Sequence, residues 1–225
     1  MCGRYSFNVK KDVLKVLLPG VSLPNDWVES LNICPTEQAL AINKVDTMAL
    51  SFMRWGFQKT NAIKKDLPPL INARSETIFE KVSFKESIVN RRCIIPADSF
   101  YEWKIYGKSK IPYRILPSKD PVLFMAGIWQ TFEYSNHTFS SFVIVTTESN
   151  EDIAFLHNRM PVLLETEDKR EYWLADDATK EELVKIMFSS PSAYLTSYPV
   201  SPLVNNIRVK NGGIHDKGHS PLTLF

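Results

Sequence analysis

Two apolar runs constrain the fold most: Val122–Gln130 (VLFMAGIWQ) and Phe139–Thr147 (FSSFVIVTT). Both are rich in β-branched and aromatic residues, which suit a pleated, packed surface. They are expected as central strands. Ala39–Asn43, Met48–Trp55, Arg92–Ile95, Phe100–Tyr106 and Tyr113–Leu116 read as further strands. Short turns separate them, and Gly107–Lys110 folds the last two into a hairpin. Strand-like segments at Pro161–Glu165 and Tyr194–Val200 follow.

Helical segments are short and scattered among the strands. Lys11–Leu18 is amphipathic and is stopped by Pro19-Gly20. Ser75–Lys81, Phe84–Asn90, Asp168–Ala175 and Thr179–Ser189 are candidates, the last capped by Thr179 ahead of Glu181 and Glu182. Asn150 is placed to cap another helix running through His157. No regular βαβ alternation appears, so the expected class is α+β: a mostly antiparallel, curved, barrel-like sheet with peripheral helices. At 225 residues, 44% of them apolar, one large domain over 1–225 is the simplest organisation.

Bulk properties exclude several roles. The formal net charge of +2 argues against a histone-like nucleic-acid binder but permits a local basic groove. No stretch has the apolar length of a membrane span, and no signal-peptide pattern opens the chain. The cysteines, Cys2, Cys34 and Cys93, are odd in number and far apart. A disulfide framework is not expected, and a reducing cytoplasm is. Neither a metal-ligand spacing nor a glycine-rich phosphate loop is present, so no metal or cofactor is expected.

The chain opens Met1-Cys2-Gly3-Arg4-Tyr5. If Met1 leaves, Cys2 carries a free amine beside its thiol. Reference pKa values of about 7.7–8.0 and about 8.5 give both nucleophiles useful populations near neutrality. Such a pair can condense with an aldehyde and close a thiazolidine ring, and Gly3 leaves room for a partner. Taken by itself, position 2 reads first as an arbitrary residue of a frayed terminus.

Three other segments hold reactive side chains. Glu102 lies in an apolar strand and shares a face with Phe100, where partial desolvation suits proton transfer; alternatively it faces water from an edge strand. His157 either exchanges a proton with a substrate oxygen or caps helix carbonyls. Asn72 either bonds a substrate or caps the helix beginning near Ser75. Arg74 and Arg159 fit bidentate phosphate contacts or surface ion pairs.

Together the segments resemble the SOS-response-associated peptidase family, also called abasic-site processing proteins. The matching pieces are MCGRY at 1–5, NICPTEQ at 32–38, WGF at 55–57, PPLINARSET at 68–77, RRCIIPADSFYEW at 91–103, LHNRMPVLL at 156–164 and PVSPLVNN at 199–206. They stand in the family order and span nearly the whole chain. The resemblance implies a β-barrel-like core that binds single-stranded DNA and captures the ring-opened aldehyde of abasic sites. It implies Cys2 as the nucleophile, exposed by peptidase-type removal of Met1 and forming a covalent thiazolidine link. Asn72 would orient the sugar, Glu102 act as acid and base, and His157 stabilise the opened sugar. Arg4, Arg74 and Arg159 would lie near phosphates, and Gly3, Pro35 and Trp103 along the DNA path. A monomer is expected. Two other readings stay open: a cysteine peptidase using Cys2 and His157, and a non-covalent module for single-stranded DNA.

The chain departs from the family pattern in places. Ser99 stands where glycine is usual, and Ser75 replaces a small apolar residue. Gln58–Leu67 lacks base-wedging tryptophans and offers Lys59, Lys64 and Lys65 instead.

Overall fold

The computed structural model describes residues 2–26, 29–44, 47–58, 67–134, 137–188 and 192–218. Met1 and the lysines of the 58–67 loop lie outside the described residues. In chain order the strands are β1 (Tyr5–Phe7), β2 (Ser30–Ile33), β3 (Gln38–Lys44), β4 (Met48–Trp55), β5 (Asn72–Arg74) and β6 (Arg92–Ala97). Then come β7 (Ser99–Tyr106), β8 (Ser109–Pro117), β9 (Leu123–Tyr134), β10 (His137–Glu148), β11 (Arg159–Pro161) and β12 (Leu195–Pro199). The helices are α1 (Lys11–Leu17), α2 (Lys85–Asn90), α3 (Glu167–Leu174) and α4 (Lys180–Phe188).

The two long apolar runs are β9 and β10, and they close a barrel. The ring runs β10-β4-β3-β6-β9 and returns to β10. Every junction is antiparallel except β4 with β10, where Arg54 and Trp55 lie parallel to Ser141 and Phe142. Strand β6 is buried along its whole length, as a wall strand covered on both sides must be. Gly127 lets the wall close: a Cβ there would come within 2.2 Å of Ile95 and 3.0 Å of the Cys93 sulfur. Trp55 stacks on Phe142 at 6.3 Å and meets Tyr5 edge-on at 5.2 Å, fastening β1 to the barrel.

A second sheet, ordered β12-β8-β7-β1-β2, is antiparallel throughout. Phe100 and Ile115 pack from it into the main core. Its outer side meets the C-terminal segment in a smaller core of Tyr101, Val200, Val204 and Ile214. Arg92 reaches out of the barrel and donates to carbonyls at the ends of α2 (Ile88, Val89) and α3 (Trp173, Ala175), satisfying groups that each helix end leaves open. Thr179 and Glu182 cap α4 reciprocally.

Several expectations need correction. Residues 151–156 form a run of turns, not a helix through His157. The Asp152 carboxylate there accepts the backbone N–H groups of Ala193, Tyr194 and Leu195 at 2.8–3.1 Å, so a distant segment shapes the path. The helix expected at Ser75–Lys81 is only a 3-10 turn over Ser75–Thr77, followed by further turns. The strand expected at Pro161–Glu165 begins earlier, as Arg159–Pro161, because β11 pairs with the end of β10. Strands β1, β2 and β5 are too short to show a period of two in sequence.

Candidate active site

Strand β1 lies between β2 and β7, so the residues before it enter the middle of a sheet. Tyr101 N donates to the Arg4 carbonyl at 3.0 Å and continues that pairing toward the terminus. Cys2 is consequently fully buried. Its Sγ lies 3.8 Å from the same Arg4 carbonyl. Burial, and secondarily the negative charge of Glu102, pushes the Cys2 thiol up to about 12.

Asn72 reaches Cys2 directly: its Nδ2 donates to the Cys2 carbonyl at 2.8 Å. This side chain is spent on the terminus and caps no helix. Strand β5 carries it, parallel to β10 with Asn72 beside Ile144 and Arg74 beside Thr146. The Asn72 Oδ1 is buried without a hydrogen-bond partner among the described residues. Such an acceptor costs about 1–3 kcal/mol unless something fills the need, which fits a group that meets a ligand.

Glu102 is 4% exposed and lies on the Phe100 face of β7, opposite Tyr113 of β8. It is a buried carboxylate within electrostatic reach of Cys2, so the edge-strand reading is overturned. His157 follows the turns and precedes β11. Its Nδ1 accepts from Arg159 N at 2.9 Å, which in the neutral ring places the proton on Nε2.

An open cleft of about 640 Å³ runs past His157, lined also by Arg74, Glu148, Ser149, Asn158 and Arg159. Asn72 and Arg74 are alternate residues of one strand and share a face, so β5 connects the Cys2 carbonyl to the cleft wall. Arg74 is exposed there. Arg159 is already engaged. It makes a two-pronged ion pair with Glu76 and donates to the Thr146 carbonyl at 2.6 Å.

The remaining expected residues divide by environment. Arg4 Nη1 donates to Asn32 Oδ1 at 2.7 Å and to the Val204 carbonyl at 2.6 Å, with its guanidinium 6.0 Å from the Trp103 ring. It ties the terminus to the C-terminal segment, and Trp103 of β7 donates to Asn205 of that same segment at 2.8 Å. Gly3 is half-buried between Cys2 and Arg4, and half-buried Pro35 opens the turn after β2. That turn holds Thr36 at φ 76°, in the left-handed region.

The family profile described as SOS response associated peptidase (SRAP) matches residues 1–207. The chain belongs to the SRAP family. Its relatives include the abasic site processing protein YoaM of Bacillus subtilis, 33% identical, with 92% of this chain and 93% of that protein covered. Abasic site processing protein YedK of Escherichia coli is 32% identical, with 95% and 97% covered. A crystal structure of a Bacteroides thetaiotaomicron protein superposes with a TM-score of 0.84 at 24% identity, over 97% of this chain and all of that one; this likeness concerns the fold.

Ser99, where a glycine was expected, takes part in a side-chain network. Ser99 Oγ accepts from Arg114 Nε at 2.8 Å and donates to Asp98 Oδ2 at 3.1 Å. Asp98 also receives Arg114 Nη2 at 2.6 Å, the Ser6 hydroxyl at 2.7 Å and Asn8 N at 2.8 Å. This buried network braces β1 against β7 and β8 behind Cys2 and Glu102. Sequence reasoning missed it, as it missed Asn32. The fully buried Asn32 joins Arg4 to carbonyls of Asn206 and Val209 at 3.0 and 2.7 Å. An aspartate and an arginine sixteen positions apart carry no local signal of pairing.

Proposed function

We propose that this SRAP chain captures abasic sites in single-stranded DNA through Cys2, once Met1 has been removed, and holds them as a covalent thiazolidine. The observation that carries the reading is the Asn72 bond to the Cys2 carbonyl, beside the buried Glu102 carboxylate. It fixes the backbone of the very residue whose amine must meet a sugar carbon. Effective capture depends on such fixed geometry, because an ångström of misplacement loses about 10²-fold in rate.

The chemistry balances without a cofactor. The Cys2 amine attacks the C1′ aldehyde of the opened sugar, a C–N bond forms, and the carbinolamine loses water to give an imine. The Cys2 sulfur then adds to C1′ while its proton passes to the nitrogen, and a five-membered ring closes. One water is released overall. Glu102 is suited to carry the protons between these steps, since it is buried beside the reacting residue. His157 supports opening of the sugar through its Nε2 proton. The cleft beside Arg74 accepts the phosphates, with salt-sensitive affinity. A missing base lets C1′ reach a site from which an intact nucleotide is excluded by shape. Ring closure removes the iminium from which strand cleavage would proceed.

The raised thiol favours this order of events over a peptidase reading. Burial holds the Cys2 thiol in its protonated form at neutral pH. A hydrolase that starts from thiolate is poorly served by that environment. An amine-first capture needs sulfur only after a neighbouring base has taken its proton.

The test is an SDS-resistant band between the purified protein and a single-stranded oligonucleotide bearing an abasic site. Wild type should form it, and Cys2→Ala should not. Intact-mass measurement should show that Met1 is gone. Equal adduct without Cys2, or with Met1 retained, overturns the reading. Catalytic peptide cleavage in trans, with no response to abasic DNA, would favour the peptidase instead.

A further inference from the structure

The β7–β8 hairpin continues well past Glu102, and its site-side face has a consistent chemistry. Residues directly opposite in an antiparallel pair share a face. Outward from Glu102 and Tyr113, the next pair on that face is Lys104 with Ile111, and then Tyr106 with Ser109 at the tip. Phe155, from the turns that lead to His157, lies over this face. It meets Tyr113 edge-on at 6.1 Å, and Lys104 Nζ lies 4.9 Å from the centre of its ring. Even so packed, Phe155 is 51% exposed, and Tyr106 is 49% exposed. Between Trp103 and Ile111 the chain carries Lys104, Lys108 and Lys110 and no acid. Lys108 stands in the turn at the tip, and Lys110, opposite Ile105, faces the other side.

We propose that this face is a DNA-binding ledge: Phe155 and Tyr106 stack bases of the strand flanking the lesion, and Lys104 draws in its phosphates. The inference rests on the capture reading and extends its footprint away from the arginine-lined cleft. Three features favour nucleic acid as the occupant. The ledge begins at the proposed proton carrier Glu102 and at the segment bearing His157, so it is continuous with the site. Beyond Glu102 the hairpin is basic, with Lys104 on this face and Lys108 at the tip, and Glu151 is the exposed acid of the turns that carry Phe155, so the outer part of the ledge complements a phosphodiester chain. It offers two half-open aromatic rings, Tyr106 on the strand face and Phe155 laid over that face from the turns, of the kind that sequence-tolerant stacking of unpaired bases uses. From Glu102 to Tyr106 the strand rises about 14 Å, at ~3.4 Å per residue, which accommodates a short run of nucleotides. A lysine on the ring of Phe155 also fixes that ring's orientation in advance.

The decisive measurement uses full-length protein and a single-stranded oligonucleotide containing a tetrahydrofuran abasic analogue. That analogue has no aldehyde, so binding is read without capture. Fluorescence anisotropy should show about 5-fold or greater loss of affinity for Phe155→Ala and for Tyr106→Ala. Lys104→Gln should lower the dependence of log affinity on log salt by about 0.7. Phe188→Ala, which removes an aromatic ring 57% exposed on α4, should change neither. Thermal melting of each variant separates a binding loss from unfolding.

A second arm trims the oligonucleotide flanks stepwise on either side of a true abasic site and follows adduct formation. Wild type should slow when one flank becomes too short to reach the ledge, and Phe155→Ala should be slow at every length. Unchanged affinity and unchanged flank dependence in both aromatic variants, with wild-type adduct intact, would refute the ledge and leave capture standing. Absence of adduct in wild type, with the affinity losses present, would refute capture and leave the ledge standing.

Discussion

Asn72 and Cys2, seventy residues apart in sequence, are joined by one hydrogen bond of 2.8 Å from side-chain amide to backbone carbonyl. It links β5, which pairs with β10 of the barrel, to the approach to β1 in the second sheet. The residue most exposed to fraying in an ordinary chain is thereby held in place.

Removing that link should be felt twice. Asn72→Ala leaves the Cys2 carbonyl without its side-chain donor, and stability should fall by about 1 kcal/mol. Adduct formation with abasic DNA should slow further, by about 10-fold to 100-fold, because the amine loses its position. Denaturant unfolding beside timed gel assays checks the two effects separately. Loss of stability with an unchanged adduct rate would limit Asn72 to a structural role.

The network behind the site should separate stability from chemistry in the opposite sense. Ser99→Gly removes the hydroxyl shared by Arg114 and Asp98. A loss of about 1–2 kcal/mol is expected from the missing bonds and the freer backbone. Adduct yield below the unfolding transition should not change. Asp98→Asn should be worse, at about 2–4 kcal/mol, because it leaves the half-buried Arg114 guanidinium without its counter-charge.

Alkaline stability should report the buried thiol. Burial raises Cys2 from an ordinary value of 9.0 to about 12, so the folded chain keeps a proton that the unfolded chain releases. The contribution is fully present below about pH 9 and is lost as pH rises toward 12. Urea unfolding at rising pH should show this decline, and it should be shallower in Cys2→Ala. Cys93, raised further by burial, accounts for part of what remains.

Acid should act through the C-terminal segment. His215 Nε2 lies 2.8 Å from the Tyr101 hydroxyl, which itself donates to the Leu31 carbonyl at 2.7 Å. Burial, and then the positive charge of Arg114, lowers His215 from 6.5 to about 4. Between those values the unfolded chain binds a proton that the folded chain refuses. Stability should therefore fall as pH drops from 6.5 toward 4, and His215→Ala should flatten that slope. Equal slopes in both proteins would show that other groups govern acid sensitivity.

Much of the architecture was legible because its signals are local. The runs that became β9 and β10, the turn at Gly107, and the Thr179 cap each declare themselves within a few residues. Glu102 was legible as a candidate because alternation put it beside Phe100. Residues 151–156 misled because Asn150 before an apolar run resembles a helix start. The Asp152 clamp on residues 193–195 lies far outside any local window.

The sequence by itself determined an α+β chain with long core strands, a family membership carried by ordered motifs, and the reactive residue types. Only the tertiary structure decided which of them meet. It seats Cys2 under Asn72, commits Arg159 to Glu76 and Arg4 to Asn32 and Val204, and gives Ser99 a place in the Asp98–Arg114 network. The reason is that strand period and capping are short-range properties of the chain. The partner of a buried charge or carbonyl is selected by sheet closure and by the penalty for leaving it unpaired, and both act across the whole molecule.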